Sequence, residues 1–159
     1  AHCVIAERLQ PGAALGMEVQ RGQAGAWNGS ATLDAPLGSR ETALACLAGA
    51  RAESLWDDVS RQARAEIYRD GRRLHTEPLG RAFPSHSDER EVEQHLDRVV
   101  SRRFYLRRQS ERRELERVAG QLVRQNRRAI MKLATAFVAA DKYRGGTKFD
   151  RAAILAAIS

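Results

Sequence analysis

Ten arginines crowd one stretch of this sequence at a spacing that suits phosphate. Arg102 and Arg103, Arg107 and Arg108, and Arg112 and Arg113 form three doublets five residues apart, with Arg117, Arg124, Arg127 and Arg128 beyond them. A guanidinium donates two parallel hydrogen bonds from a rigid fork, which matches the oxygens of a phosphate. On an isolated helix, like charges four apart, such as Arg103/Arg107, Arg108/Arg112 and Arg113/Arg117, repel by roughly a few tenths of a kcal/mol each. A folded chain that keeps them is expected to set something negative against them. The first expectation is a nucleic acid or other polyanion, held through its phosphates with little regard to base sequence. The competing expectations are a face paired with Asp and Glu elsewhere in the chain, and a protein partner with an acidic surface. Arginine spacing does not separate DNA from RNA, or single from double strands.

Base stacking needs exposed aromatics, and the arginine tract holds only Phe104 and Tyr105. A helical wheel puts Phe104 on the apolar side, so Tyr105 is the one stacking candidate. Other reactive residues give weaker patterns. His86, Glu91 and His95 can be drawn as a metal site, but Glu91 and His95 are more simply an i,i+4 pair, and no metal or other cofactor is expected. His2 beside Cys3 places a base next to a thiol, yet neighbours on a strand point to opposite faces. Cys46, between Leu44 and Leu47, reads as core. Asp57 and Asp58 diverge by 100° on a helix and read as exposed. Arg69, Arg72 and Arg73, with Tyr68 and His75, would form a basic hairpin tip. A small basic ribonuclease is the best enzymatic alternative they offer. No dinucleotide fingerprint, phosphate loop or Gly-x-Ser-x-Gly is present, and no catalytic residue is assigned.

The charge is localised. The net charge is +7 over 159 residues. Residues 1–80 hold nine arginines against ten acids, whereas residues 98–128 hold eleven arginines against Glu111, Glu114 and Glu116. A base-composition bias towards arginine would not confine the excess to one segment. Two cysteines are too few for a disulfide framework. With 43% apolar and 30% charged residues the chain is globular in composition. It has no apolar run long enough to cross a membrane and no visible secretory signal, so a cytoplasmic location is expected.

These residues need elements to position them. Cys3–Ala6 reads as a short strand, and Met17–Gln20 alternates as a second. Asn28-Gly29 marks a hairpin turn. Ser39 caps a helix over about 40–62, with Leu44, Leu47, Ala48, Leu55 and Val59 at helical spacing and Gly49 weakening its middle. Ala65–Arg69, turning at Asp70-Gly71 into Arg72–Thr76, reads as another hairpin. Pro78, Gly80 and Pro84 mark a joint at 78–87. Ser87 or Asp88 then caps a helix that carries no proline to about Arg128. Val100, Phe104, Leu115, Val118 and Leu122 form its narrow apolar seam, opposite a broad face that includes Arg98, Arg102 and Arg113. Unbroken, residues 98–128 would span roughly 45 Å. Ala129–Ala140 reads as a helix buried on nearly every side, ended by Gly145-Gly146, and Thr147 caps a last helix over about 148–158.

The expected fold is therefore α+β. A small antiparallel sheet with one packed helix occupies 1–80. A mainly helical unit with a long amphipathic basic helix occupies 86–159, and the two share one core if neither buries enough alone. The expected function is a non-enzymatic, sequence-tolerant nucleic-acid-binding module. The alternative is a structural or assembly protein, such as a subunit of a viral particle or secretion machine, forming a homo-oligomer through the apolar seam. An anionic membrane surface ranks below both, because large apolar residues opposite the arginines are few.

Overall fold

The computed structural model describes residues 1–21, 27–34, 37–69, 86–140 and 147–159. Its elements run α1 (His2–Leu9), β1 (Ala14–Arg21), β2 (Trp27–Leu33), α2 (Ser39–Arg69), α3 (His86–Val99), α4 (Tyr105–Gln125), α5 (Arg127–Ala140), β3 (Thr147–Asp150) and α6 (Arg151–Ile158). This is an α+β fold, with six helices and a three-stranded antiparallel sheet among the described residues. The strand order is β2-β1-β3, so the last strand of the chain completes a sheet begun by the first two. Val19 pairs with Gly29 on one side of β1, and Met17 pairs with Phe149 on the other.

Cys3–Ala6 is helical, not extended. Cys3, Val4, Ile5, Ala6 and Glu7 of α1 are all buried. A continuous apolar run reads the same for a buried strand and for a helix covered on every side, and here α2, β1 and β2 cover it. Glu7 is the buried charge that ties this region together. Its carboxylate accepts the amides of Gly12 (2.9 Å) and Ala14 (3.2 Å) and meets Arg151 of α6 at 3.4 Å. Burial alone would raise its pKa, but those donors hold it below the usual glutamate value. Gly12 makes the turn with φ of 101°, a conformation that glycine adopts without steric cost.

Three further elements differ from the sequence expectation. Asn28 and Gly29 lie inside β2, paired with Gln20 and Val19, so they are strand residues and not a turn. α2 runs on to Arg69, which makes Ala65–Arg69 helical rather than a strand. Asp70-Gly71, His75, most of the proposed joint and Gly145-Gly146 lie outside the described residues. Thr147 begins β3 instead of capping a helix. Asp150 does the capping, with its side chain accepting the Ala153 amide at 2.8 Å.

The long basic helix is two helices. α3 ends at Val99, residues 100–104 turn, and α4 starts at Tyr105. Asp97 and Arg108 would stand about 16 Å apart along a straight helix; the turn brings them to 2.7 Å. A local signal for the break is weak, because the turn contains neither Gly nor Pro. The register shifts with it. Val100 and Leu115 are buried as expected, and Val118 and Leu122 pack partly against the core. Phe104, however, is 49% exposed, and Ala119 and Val123 continue the buried line in its place.

α5 is also more one-sided than its composition implies. Ala129, Leu133 and Phe137 are buried at a spacing of four, while Ala134, Thr135, Ala139 and Ala140 are exposed. Core clusters draw on both ends of the sequence. Ala43, Leu44, Cys46 and Leu47 of α2 pack with Val92 and Leu96 of α3 and with Leu115 and Ala119 of α4. Cys3, Val4 and Ala14 pack with Ala129, Leu133 and Ile154.

Candidate nucleic-acid interface

α4 sits where its apolar positions demand, and this fixes its arginines. With Leu115, Ala119 and Val123 turned inward, the line Leu106, Ser110, Arg113, Arg117, Gln121 and Arg124 faces outward, and all six are exposed. The ten arginines then divide by their surroundings.

Four of them are paired within the chain, and the partners come mainly from α3. Glu89, Glu93 and Asp97 recur every four residues on one face of α3, opposite Arg108 and Arg112 on α4. Arg108 bonds Glu93 and Asp97, and Arg112 bonds Glu89 at 2.5 Å and Glu93 at 3.1 Å. Arg112 also reaches Glu116 at 3.3 Å, which Arg51 of α2 meets at 2.7 Å. Arg102 holds Asp97 through two bonds, and Arg117 holds Glu114 through two more. These carboxylates raise the pKa of all four guanidiniums. Asp97, bonded by Arg102 and Arg108, is held at about 2. The spacing Glu89, Glu93, Asp97 is legible in the sequence. It falls just before the arginine tract, and only the turn at 100–104 folds it back.

Arg103, Arg107, Arg113, Arg124, Arg127 and Arg128 make no ion pair among the described residues. All six are exposed. Arg113 and Arg124 line a cavity of about 450 Å³ between α2 and α4, together with Arg51, Ser54, Glu116, Arg117 and Gly120. Four guanidiniums thus line one space; Arg51 is paired with Glu116 and Arg117 with Glu114, while Arg113 and Arg124 have no ion-pair partner among the described residues. Arg127 and Arg128 open the first turn of α5, next along the chain. Arg103 lies over the Phe104 ring, 4.9 Å from its centroid. The structure therefore brings Arg113, Arg117 and Arg124 of the ten around one cavity, with Arg51 added. It leaves Arg103 and Arg107 at the other end of α4. Arg51 escapes sequence reasoning because it lies on α2, far before the arginine tract in sequence.

A second cavity, about 470 Å³, was also not legible beforehand. It is lined by His2, Glu53, Asp88, Glu91 and Cys46, and by Gly29, Ser30, Ala31 and Leu33 of β2. His2 Nε2 lies 3.2 Å from the Cys46 carbonyl and 3.6 Å from Asp88. The His2 ring rests against Gly49, where an added Cβ would collide with it. A larger residue at this mid-helix position would have to push the His2 ring aside. Cys3 is buried with its thiol aimed at the Gly16 carbonyl, and burial raises its pKa. Burial, aided by Asp88, pushes Cys46 up to about 12. Neither is poised as a thiolate nucleophile. His95 is turned away from Glu91's cavity, bonding Ser39 Oγ at 2.9 Å through Nδ1. No group of three described His, Cys, Asp or Glu side chains could hold a metal ion. No described helix is long and apolar enough to cross a membrane.

Comparison with protein-family models, with curated proteins and with solved structures returns no match for this chain.

Proposed function

We propose that the protein binds nucleic acid through phosphate contacts centred on the α2–α4 arginine cleft. The observation that carries this reading is that Arg51, Arg113, Arg117 and Arg124 line one cavity, where Arg113 and Arg124 have no ion-pair partner among the described residues. Guanidiniums gathered without equal counter-charge favour an anionic ligand, and a phosphate backbone meets several at once. Arg103, Arg107, Arg127 and Arg128 extend the contact along α4 and into α5. Arg102, Arg108 and Arg112 act mainly to hold α3 against α4, and phosphate contact there would have to displace a carboxylate. The test is titration of a labelled oligonucleotide at rising salt, with Arg113→Gln/Arg124→Gln beside the unaltered protein. Weaker binding and a shallower salt dependence in the variant support the reading; equal curves refute it.

A second reading attaches to the His2 cavity. A histidine beside a carboxylate is suited to proton transfer, and β2 has an unpaired edge among the described residues. Sheet edges accept extended peptides. Peptide hydrolysis at this cavity would be abolished by His2→Ala while nucleic-acid binding is spared. Casein incubated with the protein and left intact counts against it.

Self-association, as an assembly subunit, is less well served by the seam, since Leu115 and Ala119 are already packed in the chain's own core. Light scattering at high salt tests it: a monomeric mass excludes it.

A further inference from the structure

The turn between α3 and α4 carries an exposed apolar corner. Val99, Phe104, Tyr105 and Leu106 are 48%, 49%, 63% and 78% exposed. Side chains of this size left in water within eight residues of one another mark an interaction surface more than chance exposure does. Cations flank the corner. Arg102, Arg103 and Arg107 are exposed around it, and Arg103 lies over the Phe104 ring at 4.9 Å. Gln109 Nε2 meets the Tyr105 hydroxyl at 2.5 Å, which fixes the ring's outer end.

We infer that this corner stacks unpaired bases, so that the nucleic acid bound is single-stranded. The inference rests on the phosphate-binding reading above and names the form of its ligand. Bases stack on aromatic faces and on guanidinium planes; the Arg103 guanidinium, lying over one face of the Phe104 ring, and the exposed Tyr105 ring offer both kinds at neighbouring positions. In a duplex, base faces are already stacked on one another, so two exposed rings gain contact with bases only where the strand is unpaired. The charge complementarity also has a direction. Tyr105 stands at the start of α4 and Arg113 to Arg124 further along it, about 12 to 28 Å away at 1.5 Å per residue. One strand lying along α4 would meet rings at one end and uncompensated guanidiniums at the other.

The test compares a labelled mixed-sequence single strand with the same strand annealed to its complement, both at 50 mM salt, on the full chain. The variant is Phe104→Leu/Tyr105→Leu, which keeps apolar bulk but removes both rings. The inference expects single strands to bind more tightly than duplex. The variant should lose about tenfold or more of that single-strand affinity with duplex binding unchanged. Circular dichroism melting within error of the unaltered protein secures the fold of the variant, since both positions are exposed. If melting does fall, Tyr105→Leu alone must show the same selective loss, and its absence overturns the inference. Equal affinity for the two forms, unaltered in the variant, overturns the stacking inference and leaves phosphate binding standing. Failure to bind either form removes the reading beneath it as well. Binding to phosphatidylserine vesicles that the variant abolishes, with single-strand affinity intact, assigns the corner to a membrane and overturns the inference. A dimeric mass abolished by the variant does the same in favour of a second copy.

Discussion

Leu115→Ala and Phe104→Ala separate what a helical wheel over residues 98–128 would equate. Leu115 is fully buried among Leu44, Leu47, Val92 and Leu96, so its truncation should cost about 2–5 kcal/mol. Phe104 is half exposed, and its loss should cost well under about 1 kcal/mol, as surface changes usually do. Urea denaturation of the two variants checks this; equal losses would restore the continuous seam. His95 gives a pH test. It is 3% exposed, with Nε2 finding no hydrogen-bond partner among the described residues. Burial lowers its pKa below 6.5, Arg40 and Arg98 act in the same direction, and Glu111 and Glu41 oppose them. A folded pKa below the unfolded one means that the unfolded chain binds more protons. Stability should therefore be full above pH 6.5 and fall as the pH drops towards the lowered value. Melting temperatures of the native protein and of His95→Leu across that window read the slope, which the variant should reduce.

Helices were the more legible elements and strands the less. α2 and α4 announce themselves because their apolar residues recur at helical spacing and their polar residues fill the rest, whereas α5 reads as a helix apolar on nearly every side and proves one-sided. α1 was hidden because burial on every side erases the period that distinguishes helix from strand. The third strand was hidden because Thr147–Asp150 gains its identity from pairing with Gly16–Val19, far away in sequence. The arginine site was half legible. Its residue type and segment stand out, but which guanidiniums are free depends on a turn that carries no Gly or Pro. The α3–α4 ladder gives an acid-side prediction: Asp97, held at about 2 against an ordinary 3.8, keeps Arg102 and Arg108 until acid protonates it. Its contribution is present above pH 3.8 and lost as the pH falls towards 2. NMR of the Arg102 side chain through that range should show its release, which Asp97→Asn should produce at neutral pH while Glu93 still holds Arg108. At the other face, Gly49→Ala gains helix propensity of about 1 kcal/mol but drives the Cβ into His2. The His2 ring should leave the Cys46 carbonyl and Asp88, visible as a changed imidazole resonance; an unshifted resonance would contradict the packing.

Charge governs the molecule as a whole. A net +7, with local acids on α3 spent on Arg108 and Arg112, leaves positive potential concentrated from Arg113 to Arg128. Such a surface should attract polyanions over roughly a Debye length, about 10 Å at 0.1 M salt. The most direct measurement is the slope of log affinity against log salt for a single-stranded oligonucleotide. If about six phosphates are neutralised, affinity should fall by about 10³-fold or more between 50 and 200 mM salt. Arg113→Gln/Arg124→Gln should lower the slope by about 2, roughly one for each phosphate contact removed, without changing the melting temperature. Absence of binding at 50 mM salt, or a slope identical in protein and variant, would contradict the arginine cleft as a phosphate site.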